Sequence, residues 1–232
     1  MSGKKAKIYR LMTRDPYFPI GNTPAEAAGK YGAGVVYKVF HSVLEEVVAG
    51  NESFHHALGT VIDRCEGMKL VPALYIDNEN QDAEAQLECV RESIALAIKH
   101  KLPKIVILSP ETGLLVKVRE IDTIPLVVET GRLAGHSLDP QNEIREEAAK
   151  GTSIIAFYVY EHDEAAIKSM IRLARRSGIK IIFNIRDQNN HERDILENVI
   201  VILKMAGENG GGVFCNYPPA VWEALKDTKA GK

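Results

Sequence analysis

The sequence has no apolar run approaching the roughly 20 residues that a membrane-spanning helix needs. Its densest apolar stretch, Val199–Leu203, reads as part of a buried helix. No membrane partner is expected. Cysteine is scarce. Cys65, Cys89 and Cys215 lie far apart and form no C-x-x-C pair, so they do not read as a disulfide framework. A reduced, cytoplasmic compartment is the simplest expectation. Cys65 and Cys89 fall on apolar helical stripes and Cys215 in the last expected strand, so all three read as core residues. The opening Met1–Lys7 lacks the apolar stretch of a signal peptide.

Linkers are lacking as well. No Pro-, Gly- or Ser-rich segment divides the chain, and 232 residues suffice for one substantial core. The expectation is a single α/β domain over 1–232, frayed at 1–6 and 228–232. A net charge of −2 gives no general attraction to nucleic acid. Lys4, Lys5 and Lys7 read as a solvated end. Several catalytic signatures are missing: there is no G-x-S-x-G elbow, no G-x-x-x-x-G-K-[ST] and no G-x-G-x-x-G. Loops for NAD, FAD or ATP are therefore not indicated.

What the chain does have is alternation. β-branched runs at Ile8–Thr13, Leu70–Ile76, Lys104–Ser109, Pro125–Glu129, Ser153–Tyr160, Ile179–Ile185 and Val213–Asn216 alternate with helical segments. Interleaved strands and helices predict a parallel sheet. The expected fold is a compact (β/α)8 TIM-like barrel; the alternative is a doubly wound open sheet with an N-terminal helical hairpin. The two differ at Val35–Phe40. The β-branched run there and the glycines at 29, 32 and 34 favour a strand, whereas the recurrence of Val35, Val36, Val39, Phe40, Val43, Leu44, Val47 and Val48 suits a helix. Val43 to Cys65 reads as helical on either view, with a break at Gly50-Asn51. Leu114–Val118 reads as a short helix or the return arm of a hairpin.

Side-chain parity carries more information than any motif. Strand side chains alternate between faces, and a barrel turns its apolar face to the outer helices. In Ile179–Asp187, Ile181, Phe183 and Ile185 oppose Lys180, Ile182, Asn184 and Arg186. In the first strand Tyr9 and Leu11 oppose Arg10, Met12 and Arg14. In Ser153–Tyr160 and just beyond it, Ala156, Tyr158, Tyr160 and His162 oppose Ile155, Phe157 and Val159. Arg14, Asn184, Arg186 and Tyr160 would then line a cationic, hydrogen-bonding mouth. That composition suits a small carboxylate- or phosphate-bearing substrate held by arginine. The competing explanation is a ring of internal salt bridges, because buried cations need anions.

The candidate acids and bases follow the strands: Asp77, Glu129, which would end Pro125–Val128, and His162. A carboxylate over a barrel interior has its pKa moved by burial or by arginine, either of which supports proton transfer. Glu111 after Ser109-Pro110 is a weaker case. Asp77, Glu129, His162 and His41 together would also suit a divalent metal ion, although no H-x-H or H-E-x-x-H spacing forces two ligands together and the metal residues stay unassigned. Gly131–His136, with Arg132, reads as a loop on the functional face, a lid or an anion contact. The expected function is acid–base chemistry of the lyase, isomerase or hydrolase type on a small anionic metabolite. The alternative is a non-catalytic ligand-sensing or assembly module, and a homo-oligomer is open in both cases.

Overall fold

The computed structural model of the chain describes residues 11–14, 34–41, 47–49, 52–53, 73–76, 82–135, 137–158 and 163–184, with 212–215; for 11–14, 34–41, 47–49, 52–53, 184 and 212–215 the description is of the backbone. The strands are β1 (Leu11–Arg14), β2 (Gly34–His41), β3 (Val47–Ala49), β4 (Glu52–Ser53), β5 (Ala73–Ile76), β6 (Lys104–Ser109), β7 (Val127–Gly135), β8 (Ile154–Tyr158), β9 (Lys180–Asn184) and β10 (Gly212–Cys215). Four helices are described: α1 (Ala83–Lys99), α2 (Thr112–Arg119), α3 (Pro140–Ala149) and α4 (Glu164–Arg176).

Hydrogen bonding runs β1-β10-β9-β8-β7-β6-β5-β2, and β1 also pairs with β2. Every pairing in that circuit is parallel. The circuit therefore closes, and the protein is a parallel α/β barrel. Closure removes both free edges that an open sheet would expose. It rules out the open-sheet alternative, and Gly34–His41 is a strand where that alternative required helix.

β3 and β4 lie outside the ring as an antiparallel extension, with Val47, Val48 and Ala49 opposite His41, Phe40 and Val39. The helix expected over Val43–Cys65 is corrected at these residues. Val47 and Val48 are β-branched and find a partner strand in β2, which outweighs their helical spacing. Leu114–Val118 lies within helix α2 and not in a hairpin.

Each face of the sheet builds its own core. The outward face presents Leu74, Ile105, Ile107, Ile155, Phe157, Ile181 and Phe183 to apolar residues of the helices, including Val90, Ile94, Leu115, Ile144, Met170 and Ile171. The inward face packs Ala73, Val106, Leu108, Ile154, Ala156 and Ile182 together, with Tyr75 and Leu133 against them. Cys89 is buried in the outer core, as expected. The helices start where carboxylates satisfy free backbone donors. Asp82 accepts from the N–H groups of Glu84 and Ala85, Asp139 from Asn142, and Asp163 from Ala166. Cations occupy the last turns of α1 and α4, at the negative end of the helix dipole.

Two positions hold the packing of this half of the barrel. A methyl group on Gly131 would overlap Leu108 Cδ2 and come within 3.3 Å of Ile154 Cβ, so only glycine lets the inner layer close there. Glu147 is 2% exposed and its carboxylate accepts from the hydroxyls of Thr112 (2.9 Å) and Thr152 (2.7 Å), with Lys150 Nζ at 3.4 Å. Burial pushes its pKa up, but the two hydroxyls and Lys150 more than offset this and hold it below the usual carboxylate range. A carboxyl depressed in the folded state stabilises fully above its unfolded pKa, and that contribution is lost as pH falls through the folded value. We expect Gly131→Ala to cost about 1–3 kcal/mol by overpacking. Glu147→Ala should cost about 1–3 kcal/mol by leaving the buried Thr152 hydroxyl and the half-buried Thr112 hydroxyl without their acceptor. Urea unfolding checks both, and the Glu147→Ala deficit should shrink as the pH is lowered towards 3.

Candidate active site at the carboxyl ends of the strands

The parallel ring gives the barrel two chemically distinct ends. The first residues of the strands form a floor and the last ones a mouth, and ligand sites of such barrels sit at the mouth.

The floor contains a carboxylate that the sequence suggests for the mouth. β7 does not end at Glu129. It has nine residues and runs to Gly135, which makes Glu129 its third residue, paired in register with Val106 on the inward face. Lys104 and Lys180 are the first residues of β6 and β9. Both ammonium groups reach Glu129 Oε1, that of Lys180 at 2.7 Å. Glu129 is thus removed from the catalytic set proposed above, because its carboxylate is committed to two lysines at the opposite end from the mouth. Burial raises its pKa, but Lys104 and Lys180 more than compensate and leave it below the usual carboxylate range. The reading of Gly131–His136 as a lid falls for the same reason: residues 131–135 are strand, and Arg132 Nε lies 3.5 Å from Glu143 Oε1 on the helix side.

At the mouth, two of the anticipated residues occupy the anticipated end. Arg14 is the last residue of β1 and Asn184 the last of β9, and both strands flank β10. Asn184 is level, through Phe214, with Met12, so Arg14 lies two strand spacings across and two residues further along, roughly 12 Å away. Register puts both positions on the inward face: Asn184 lies two residues beyond Ile182, and Arg14 pairs with Val36, which pairs with Ala73. Lys38 pairs with Tyr75 on that face, and His41 ends β2. Asp77, Tyr160, His162 and Arg186 lie outside the described residues; in the chain, Asp77 directly follows β5 and Arg186 comes two residues after β9. Glu111 is the residue before α2; it is exposed, and its N–H donates to Ser109 Oγ at 2.9 Å.

The mouth also holds residues not singled out from the sequence. Tyr75 and Leu133 pack on the inner core, and Tyr158, the last residue of β8, pairs in register with Asn184. The parity of Ser153–Tyr160 sets Tyr158 inward together with Tyr160, which lies outside the described residues. A cavity of about 130 Å³ bounded by Val118, Arg119, Ile121, Thr123, Val128 and Thr130 lies between α2 and β7, outside the barrel interior. Among the described residues, no three His, Cys, Asp or Glu side chains group to hold a metal ion, and no helix is long and apolar enough to cross a membrane.

No family model matches the chain, and no curated protein matches it. Solved structures do. A glycerophosphodiester phosphodiesterase from Parabacteroides distasonis is 13% identical, with a TM-score of 0.64, and the match covers 95% of this chain and 98% of that one. The likeness is one of fold. A glycerophosphodiester phosphodiesterase from Thermotoga maritima matches at 15% identity and a TM-score of 0.54 over 96% of this chain and 98% of its own. A chitinase from Chromobacterium violaceum matches at 12% identity and a TM-score of 0.53 over 97% of this chain and 100% of its own. Phosphodiesterase and chitinase on one architecture illustrate that the fold alone does not fix the reaction.

Glu129 supplies the test for the floor. Glu129→Gln leaves Lys104 and Lys180 facing one another without an anion. Breaking a fully buried pair costs several kcal/mol, and the 39% exposure of the Lys180 side chain reduces this to about 1–2 kcal/mol near neutral pH. The wild-type carboxylate is depressed, so its contribution is complete above the unfolded carboxyl pKa and disappears as pH falls through the folded one. Urea denaturation at a series of pH values should show the two proteins converging in acid.

Proposed function

We propose that this protein is an enzyme of hydrolase type that acts on a small phosphate ester at the carboxyl-end mouth of the barrel. The observation that carries this reading is the placement of Arg14 and Asn184 as the terminal, inward-face positions of two strands flanking β10. A cationic position beside an amide position, over an apolar interior, suits an oxyanion and disfavours a neutral guest. The overall likeness to two glycerophosphodiester phosphodiesterases supports phosphate over carboxylate as the anion.

On this reading Arg14 and Arg186 hold the phosphoryl oxygens, and Asn184 and Tyr160 orient the ester. Asp77 and His162 handle the protons. One takes a proton from the attacking water as its oxygen bonds to phosphorus, and the other protonates the alkoxide released when the P–O ester bond breaks. A divalent metal ion would supply further charge neutralisation. Because the described residues contain no ligand set for one, no step is assigned to it.

Charge reversal at Arg186 tests the reading. Arg186→Glu should weaken binding of inorganic phosphate at least tenfold, measured by calorimetry, while the thermal midpoint moves by no more than a few degrees. A large loss of thermal stability with retained phosphate binding would instead mark Arg186 as part of an internal salt-bridge ring and leave the scaffold a non-catalytic module.

A further inference from the structure

Resting on that reading, the geometry of β7 and β8 points to a second determinant at the mouth: we propose that Tyr158 is a specificity residue that receives an apolar or planar group carried by the phosphate ester. The argument begins with an irregularity. β7 and β8 keep simple register from Gly131↔Ile154 to Leu133↔Ala156, and then shift, so that Gly135 rather than Ala134 stands opposite Phe157. One extra residue is inserted in β7 at its carboxyl end. Such bulges re-aim neighbouring side chains and are over-represented beside active sites.

Gly135 adopts φ +58°, a left-handed conformation that costs a residue with a Cβ free energy. The position where a Cβ would stand is 3.6 Å from Tyr158 Cε2 and 4.0 Å from Cδ2. The ring of Tyr158 therefore lies along the Gly135 backbone, supported from one side by the bulge. It is partly exposed at the end of its strand, next in register to Asn184.

Around the ring the mouth divides. Towards the mouth, above the Lys104–Glu129 cluster of the floor, the inward positions of β5 to β8 include Tyr75, Leu108, Leu133 and Tyr158, each apolar or aromatic. The cationic positions Arg14 and Lys38 belong to the adjacent strands β1 and β2. An inorganic oxyanion would engage only the cationic arc. A guest that fills both halves has an anionic head and an apolar or ring-bearing body. Tyrosine suits such a body because it offers rigid contact area at low entropic cost.

The experiment compares calorimetric affinities of phenyl phosphate and inorganic phosphate for the full chain and for Tyr158→Ala, with Tyr158→Leu as a second variant should the first not fold. Phenyl phosphate should bind at least tenfold more tightly than inorganic phosphate to the wild type. That ratio should fall to within about threefold in Tyr158→Ala, with an intermediate value in Tyr158→Leu. Equal affinities in the wild type, or a ratio unchanged in both variants, would overturn the role of Tyr158 while leaving phosphate recognition standing. Failure of either phosphate to bind the wild type would overturn both the phosphate-ester reading and this inference.

Discussion

Closure of the ring is the constraint on which the rest depends. β1 hydrogen-bonds to β10 on one side and β2 on the other, so a strand near the start of the chain joins the last described strand to the second. With all eight strands of the circuit parallel, one end collects every first residue and the other every last residue. Inward and outward positions alternate across β5 to β9, which yields an inner and an outer core from one sheet among the described residues. Groups from distant segments are thereby gathered at two ends, and ligand sites of such barrels sit at the mouth.

The two ends use charge differently. At the floor, Lys104, Glu129 and Lys180 place two cations on one carboxylate inside the ring, with each partner partly shielded. The cluster keeps strand-terminal lysines inside the barrel at tolerable desolvation cost. At the mouth, the terminal inward-face positions of β1 and β9 are those of Arg14 and Asn184, on which the proposed phosphate site rests. On the proposed function, the floor stabilises the ring and the mouth takes the ligand.

Much of this was legible in the sequence because it depends on period-two patterning. Ile181 and Phe183 against Lys180, Ile182 and Asn184 is the alternation that the structure resolves into outer and inner faces. The β-branched run Lys104–Ser109 coincides with β6. The misread places are those where tertiary context overrides local signals. Gly131 looks like a loop residue, yet it is glycine because Leu108 and Ile154 fill the space a side chain would take. Taking Thr130-Gly131 as a strand end moved Glu129 from the floor to the mouth. Val47 and Val48 follow a helical spacing, but the carboxyl half of β2 offers them a strand partner that no local pattern announces. The bulge at Gly135 is likewise invisible until β8 is laid beside β7.

The most direct measurement of the central claim is a titration of the isotope-labelled protein with phenyl phosphate, followed through its backbone amide resonances. The account predicts shifts concentrated at the carboxyl ends of the strands, at Arg14, Tyr75, Leu133, Tyr158 and Asn184, with Lys104, Glu129 and Lys180 unmoved. Shifts centred on those three floor residues, or scattered over the helices with the mouth silent, would contradict it.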